Sequence, residues 1–260
     1  MSKDSFFVIA IWSSLCVTAI ILWILTVNST EEVWYDYYFS FFQLSASIGA
    51  AFFCYRAALV LELGDATRNA WKLLSIGLCC WSVGAIIEGS YPFLYQGGNV
   101  PFPWYTDAIF LLTIPFVVAA LVTFKKGLNV EVPHWGLIFA VIMFLVAFGL
   151  AFQLNAEVFE EPTDLTTIVV TMAYVILDSL LLAMMIAVAS TLSGGTISRP
   201  WQIGLAGWLL FYLGDISYTF IRNVGRADIG GVWLDLTWPI AFGLIALGAT
   251  MARAFYQEVE

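Results

Sequence analysis

Four carboxylates stand where a carboxylate is costly. Glu88 and Asp215 lie deep in long apolar runs, and Asp107 and Asp235 open the next ones. Around them sit Tyr91, Tyr218 and Arg222. An acid at the middle of a membrane costs about 2.5–3.5 kcal/mol on insertion scales, and less near the interface. Two adjacent carboxylates do not both ionise easily without a cation. Such a pair therefore holds a cation, shares a proton, or is neutralised by a basic neighbour. A bland alternative stands beside these: the acids cap helices and hydrogen-bond Tyr and Ser across a bundle, with Asp107 and Asp235 also gaining from the helix dipole.

The spacing of the acids comes from a repeat. Shifted by 127 residues, "KLLSIGLCCWSVGAIIEGSYPF" from Lys72 falls on "RPWQIGLAGWLLFYLGDISYTF" from Arg199. Trp81 meets Trp208, Glu88 meets Asp215, Ser90 meets Ser217 and Tyr91 meets Tyr218. With one more residue inserted, Gly97 meets Gly225 and Asp107 meets Asp235. Arg222 lies four residues beyond Tyr218, on the Asp215 face, and is placed to pair with Asp215 or Asp235. Its counterpart is Tyr95, so Glu88 and Asp107 lack that cation. The expectation is a satisfied ion pair in the second copy and, in the first, a protonated pair or a cation site.

The elements that position these groups follow from composition. The 260 residues are 61% hydrophobic and 11% charged, with mean hydropathy +0.89. Soluble domains carry about 25% charged residues, so the solvent of this chain is lipid. Windows of about 20 apolar residues predict eight spans: 6–27, 37–62, 70–95, 105–124, 134–154, 165–193, 200–222 and 234–256. The fold class expected is an all-α membrane protein of eight transmembrane helices. Residues 1–260 form one integral-membrane domain built of two parallel four-helix repeats, 1–127 and 128–260. The first span is too long for a signal-peptide core and reads as a retained helix.

Orientation follows from the basic residues. Lys3, Arg56, Arg68, Lys72, Lys125, Lys126, Arg199 and Arg253 fall on one side, and only Arg222 and Arg226 on the other. Both termini are therefore expected in the cytoplasm. Glu88 and Asp215 lie sixteen residues past Lys72 and Arg199, roughly 24 Å up, in the outer third of a core about 30 Å thick. The net charge of −9 gathers on the outer loops and does not favour nucleic acid, which needs a basic surface. Asp178 in "YVILDSLLL" stands apart, near mid-membrane. It reads equally as a proton or ligand site and as a packing acid satisfied by Tyr or Ser.

Several chemistries are argued against. All four lysines lie at edges or in loops, leaving none for a retinal Schiff base, and the single histidine, His134, leaves no pair for bis-His haem. Cys16, Cys54, Cys79 and Cys80 form no CxxC pair. No phosphate loop, nucleophile elbow or HExxH motif appears, so no enzyme is expected. The sequence names no cofactor or metal. Trp34, Trp71, Trp104, Trp135, Trp201, Trp233 and Trp238 sit near span edges, whereas Trp12, Trp23, Trp81 and Trp208 read as packing residues. Asn28-Ser29-Thr30 matches a glycosylation sequon by three residues only.

"NVPFPWYTDAIFLLTIPFVVAAL", Asn99 to Leu121, resembles the "PFPS-x-AD-x-x-YL-x-x-YP" segment of bacterial integral-membrane sensor domains. These precede diguanylate cyclase (GGDEF) and histidine kinase modules. "LGDISYTF…GGVWLDLTWPIAFGLIALGA" resembles their second copy of that segment. Pro101, Pro103, Asp107 and Pro115 match, then Gly214, Asp215, Tyr218, Asp235 and Trp238, over about half the chain. The resemblance implies a sensory domain in the cell membrane of a prokaryote. The departure is that no catalytic module follows the last helix, so such a sensor is expected to signal through another membrane or signalling protein. Three functions are carried forward. The first is a sensory or regulatory domain that binds a small ligand or cation at an outer acidic–aromatic site, between the halves and lined by Glu88, Tyr91, Asp215 and Tyr218. The second is a subunit of a larger membrane complex, and the third a small cation transporter with a polar path through Asp178 to Arg56.

Overall fold

The computed structural model describes residues 2–26, 32–95, 100–160, 163–192, 198–223 and 232–259; side chains at 32–34, 36, 92, 93, 160, 222, 223, 258 and 259 are excepted. Every regular element among the described residues is a helix. The helices are α1 Lys3–Thr26, α2 Glu32–Leu59, α3 Ala66–Leu94, α4 Tyr105–Leu128, α5 His134–Leu154, the short α6 Glu157–Glu160, α7 Leu165–Ala189, α8 Ser198–Asn223 and α9 Thr237–Val259. A helical turn at 232–235 leads into α9. Each predicted span has its helix, and α5 matches its span residue for residue.

Seven of these helices are long and apolar enough to cross a membrane, which makes this a multi-pass membrane protein. The eighth long helix, α2, is not among the seven. It is the longest but one at 28 residues. Gln43, Ser40, Ser45 and Ser47 dilute its apolar character.

The chain forms two compact units, Met1–Val60 with Gly194–Glu260, and Leu61–Ser193. The first, here unit 1, holds α1, α2, α8 and α9. The second, unit 2, holds α3 to α7. These units are not the halves 1–127 and 128–260 expected from the repeat. Each unit takes one hairpin from each half, because a sequence repeat records which hairpins are alike and not which ones pack together.

In unit 1 a single indole locks three helices. Trp12 of α1 sits against Gly49 of α2 and Gly243 of α9, where a Cβ on Gly49 would lie 2.7 Å from the ring. Its Nε1–H donates to the Pro239 carbonyl at 3.0 Å. Near the other end of α1, Ser5 and Thr250 share a hydrogen bond at 3.0 Å. Arg253 pairs with Asp4 there, and Arg56 approaches the same carboxylate at 4.0 Å. Trp208 is buried, as a packing residue should be.

In unit 2, α3 and α4 form a hairpin, α7 packs on α4, and α5 packs on α7. Asp65 caps α3, its carboxylate accepting from the Thr67 amide at 2.6 Å. Gly84 of α3 lets the Phe110 ring of α4 approach, since a Cβ there would lie 2.7 Å from it. Phe110 in turn packs on Trp81, with centroids 5.6 Å apart.

Candidate functional site

Unit 2 brings Glu88 and Asp107 together where α3 ends and α4 begins. Asp107 sits in the first turn of α4. Its Oδ2 accepts from the Trp104 amide at 2.7 Å, which fastens the start of the helix. Its Oδ1 accepts from the Tyr174 hydroxyl of α7 at 3.0 Å. Glu88 projects from α3 into electrostatic range of Asp107, a charge of its own sign. Among the described residues it has neither a hydrogen-bond donor nor a cation.

An aromatic cluster adjoins this pair. Tyr91 follows Glu88 by three residues, on the same face of α3. It stacks on Tyr95 at 4.4 Å between centroids and meets Trp104 edge-on at 4.9 Å. The Trp104 residue therefore gives its backbone to Asp107 and its ring to Tyr91.

Unit 1 places the other two acids differently. The Asp215 carboxylate accepts from the Trp238 indole N–H at 2.7 Å. Tyr218 lies edge-on to the same indole at 6.2 Å, with its ring half exposed. Asp235 accepts from the Tyr35 hydroxyl of α2 at 2.8 Å. The ion pair expected from Arg222 falls on a side chain outside the described residues, as do Arg226 and the loop glycines Gly97 and Gly225.

Three of the four acids thus take neutral donors, the arrangement that the capping alternative calls for. Sequence reasoning missed the phenols that supply two of them. Tyr35 and Tyr174 lie in α2 and α7, outside the repeated stretches. A signal for Tyr174 was present, since Thr171, Tyr174 and Asp178 run down one face of α7 at i, i+3 and i+7. Asp178 is half-buried and engaged by its neighbours. Among the described residues no group of three or more His, Cys, Asp or Glu converges on one point, and the four cysteines are free.

Glu88 and Tyr91 belong to unit 2, and Asp215 and Tyr218 to unit 1. Each acid pair is therefore complete within its own unit. Compared with protein-family models, curated proteins and solved structures, the chain matches none. The likeness to bacterial sensor domains accordingly rests on the quoted motifs alone.

Proposed function

We propose that this is a non-catalytic membrane protein that binds a small ligand or cation at the Glu88–Asp107 site and passes its occupancy to a partner protein. One observation carries this reading. Asp215 has the Trp238 N–H, whereas Glu88, its repeat counterpart, faces Asp107 with no donor among the described residues. Two neighbouring carboxylates at low dielectric call for added positive charge, as a proton or a ligand. A group whose charge depends on what arrives is suited to sensing.

The setting of the site follows from the spans. The packing of α2 supports eight crossings. It lies along α1 and α9 in unit 1, and its Ala50, Cys54, Ala57 and Ala58 are buried. At 28 residues it extends about 42 Å. Eight crossings return the chain to its starting side, with Lys3, Arg56, Lys72, Lys125, Arg199 and Arg253 in the cytoplasm. Glu88 and Asp107 then face the outer leaflet.

The test uses the full chain in lipid nanodiscs. Tryptophan fluorescence and heat denaturation are followed across pH and with Na⁺, K⁺, Mg²⁺ and Ca²⁺. The wild type is expected to respond to pH or to one of these ions, and Glu88→Gln to lose that response. An identical response in Glu88→Gln sinks the reading.

A further inference from the structure

We infer that the ligand of the Glu88–Asp107 site is a protonated organic amine, its ammonium on the two carboxylates and its carbon skeleton against Tyr91, Tyr95 and Trp104. This rests on the reading above that the site takes positive charge, and it names the chemical class.

The repeat carries the first part of the argument. In unit 1 the acid receives an N–H borne on an apolar aromatic body, the Trp238 indole. The shift that lays Asp107 on Asp235 lays Phe110 on Trp238. Phe110 has no N–H to give, and its ring is spent on Trp81 and Gly84. The acid that has no internal N–H donor among the described residues is also the one beside three aromatic rings. Those rings offer faces that attract a cation and surface that takes up its carbon substituents.

A buried hydroxyl carries the second part. Thr171 of α7 is 4% exposed, and among the described residues its Oγ1 has no hydrogen-bond partner. The hydroxyls of Thr26, Ser82 and Ser179 bond back to the carbonyl four residues earlier, whereas Thr113 of α4 is like Thr171 in having no partner among the described residues. Tyr174 reaches Asp107, and Thr171 lies one turn before it on the same face of α7. Thr171 thus brings a buried, unpartnered hydroxyl to the face of α7 that carries the Tyr174–Asp107 bond. A primary ammonium has three N–H donors. Glu88, the remaining lone pairs of Asp107 and the Thr171 oxygen accept them. A bare metal ion asks for a fuller shell of hard oxygen ligands than two carboxylates and a hydroxyl supply, and it has no use for three rings.

The experiment compares 2-phenylethylammonium with its neutral analogue 2-phenylethanol on the full chain in phosphatidylcholine nanodiscs, read by tryptophan fluorescence. The amine is expected to bind at least about tenfold tighter than the alcohol, and Glu88→Gln to remove that preference. Tyr95→Leu, at an exposed position, is expected to weaken the amine about two- to fivefold. Equal binding of amine and alcohol, or no change in Tyr95→Leu, overturns the inference. A response to Na⁺ or Ca²⁺ that needs Glu88, with no response to the amine, overturns the amine and keeps the proposed function. No response through Glu88 to amine, ion or proton overturns both.

Discussion

In unit 1 the indole of Trp238 donates to Asp215 and the phenol of Tyr35 to Asp235. In unit 2 Asp107 takes the phenol of Tyr174 and the amide of Trp104, while among the described residues Glu88 meets only the charge of Asp107. A pair of acids recurs at nearly the same spacing, yet one pair is closed by internal donors and, among the described residues, the other is left with one open member. The donors decide this. Each phenol comes from the hairpin contributed by the other half of the repeat: Tyr35 lies in the first half and serves Asp235 in the second, and Tyr174 serves Asp107 in return. Each unit thus draws its acids and its phenol from different parts of the chain. Only the indole at 238 was not matched at 110.

The widest break in that comparison comes from removing the indole donor. Trp238→Phe keeps an aromatic ring and leaves Asp215 without its N–H. Leaving a buried acceptor unpaired costs about 1–3 kcal/mol, so unfolding in bicelles is expected to show a loss of that size. A loss no larger than that of an exposed substitution would mean that Asp215 needs no donor, and the contrast with Glu88 would collapse.

Next come the two phenols. Tyr35→Phe and Tyr174→Phe each delete one hydroxyl, at 2.8 and 3.0 Å from its carboxylate. Hydrogen bonds between membrane helices average about 0.6 kcal/mol and reach about 1.7. Both variants are expected to lose stability within that range. Tyr174→Phe should lose less, because Asp107 keeps the Trp104 amide. The reverse order would show that Asp107 depends on the phenol more than on its own helix start.

A smaller effect of opposite sign is expected at Glu88. Glu88→Gln removes a like charge from beside Asp107 and breaks no bond, so stability is expected to stay within about 0.5 kcal/mol of wild type or to rise. A loss comparable to that of Trp238→Phe would reveal a structural role for Glu88 and close the asymmetry.

How far this was legible in the sequence differs between backbone and site. Helices of membrane length follow from apolar runs, and the long helices lie within a few residues of the predicted windows. The polar residues of α2, Gln43 and Ser45 among them, are what keep it from the seven helices apolar enough by composition. The four acids were legible because a repeat marks positions. Their partners were not, because Tyr35 and Tyr174 lie in hairpins that resemble each other only in hydropathy. Which hairpin packs on which is set by side-chain fit, such as Trp12 between Gly49 and Gly243, and a repeat carries no record of that. Trp238 was visible as a matching position but not as the donor to Asp215, twenty-three residues away on the next helix.

The smallest effect separates the pH response of Glu88 from a second carboxylate in the same unit. Asp164 caps α7, accepting from the Thr167 amide at 3.0 Å and from the Thr167 hydroxyl at 2.6 Å. These bonds, the hydroxyl's first, favour the ionised form and hold its pKa below the ordinary aspartate value. A carboxyl lowered on folding gives stability that is complete above its unfolded pKa, about 3.9. That stability is lost as pH falls through the lower folded value. The Asp164 cap is therefore whole at neutral pH and weakens only in strong acid. Asn caps a helix about as well as Asp, so Asp164→Asn is expected to leave amide exchange at the start of α7 unchanged at neutral pH and to remove its acid dependence. Any pH response that survives Asp164→Asn and disappears in Glu88→Gln belongs to the open pair of unit 2. A response that disappears in Asp164→Asn alone belongs to the cap, and Glu88 then differs from Asp215 in geometry without differing in what it senses.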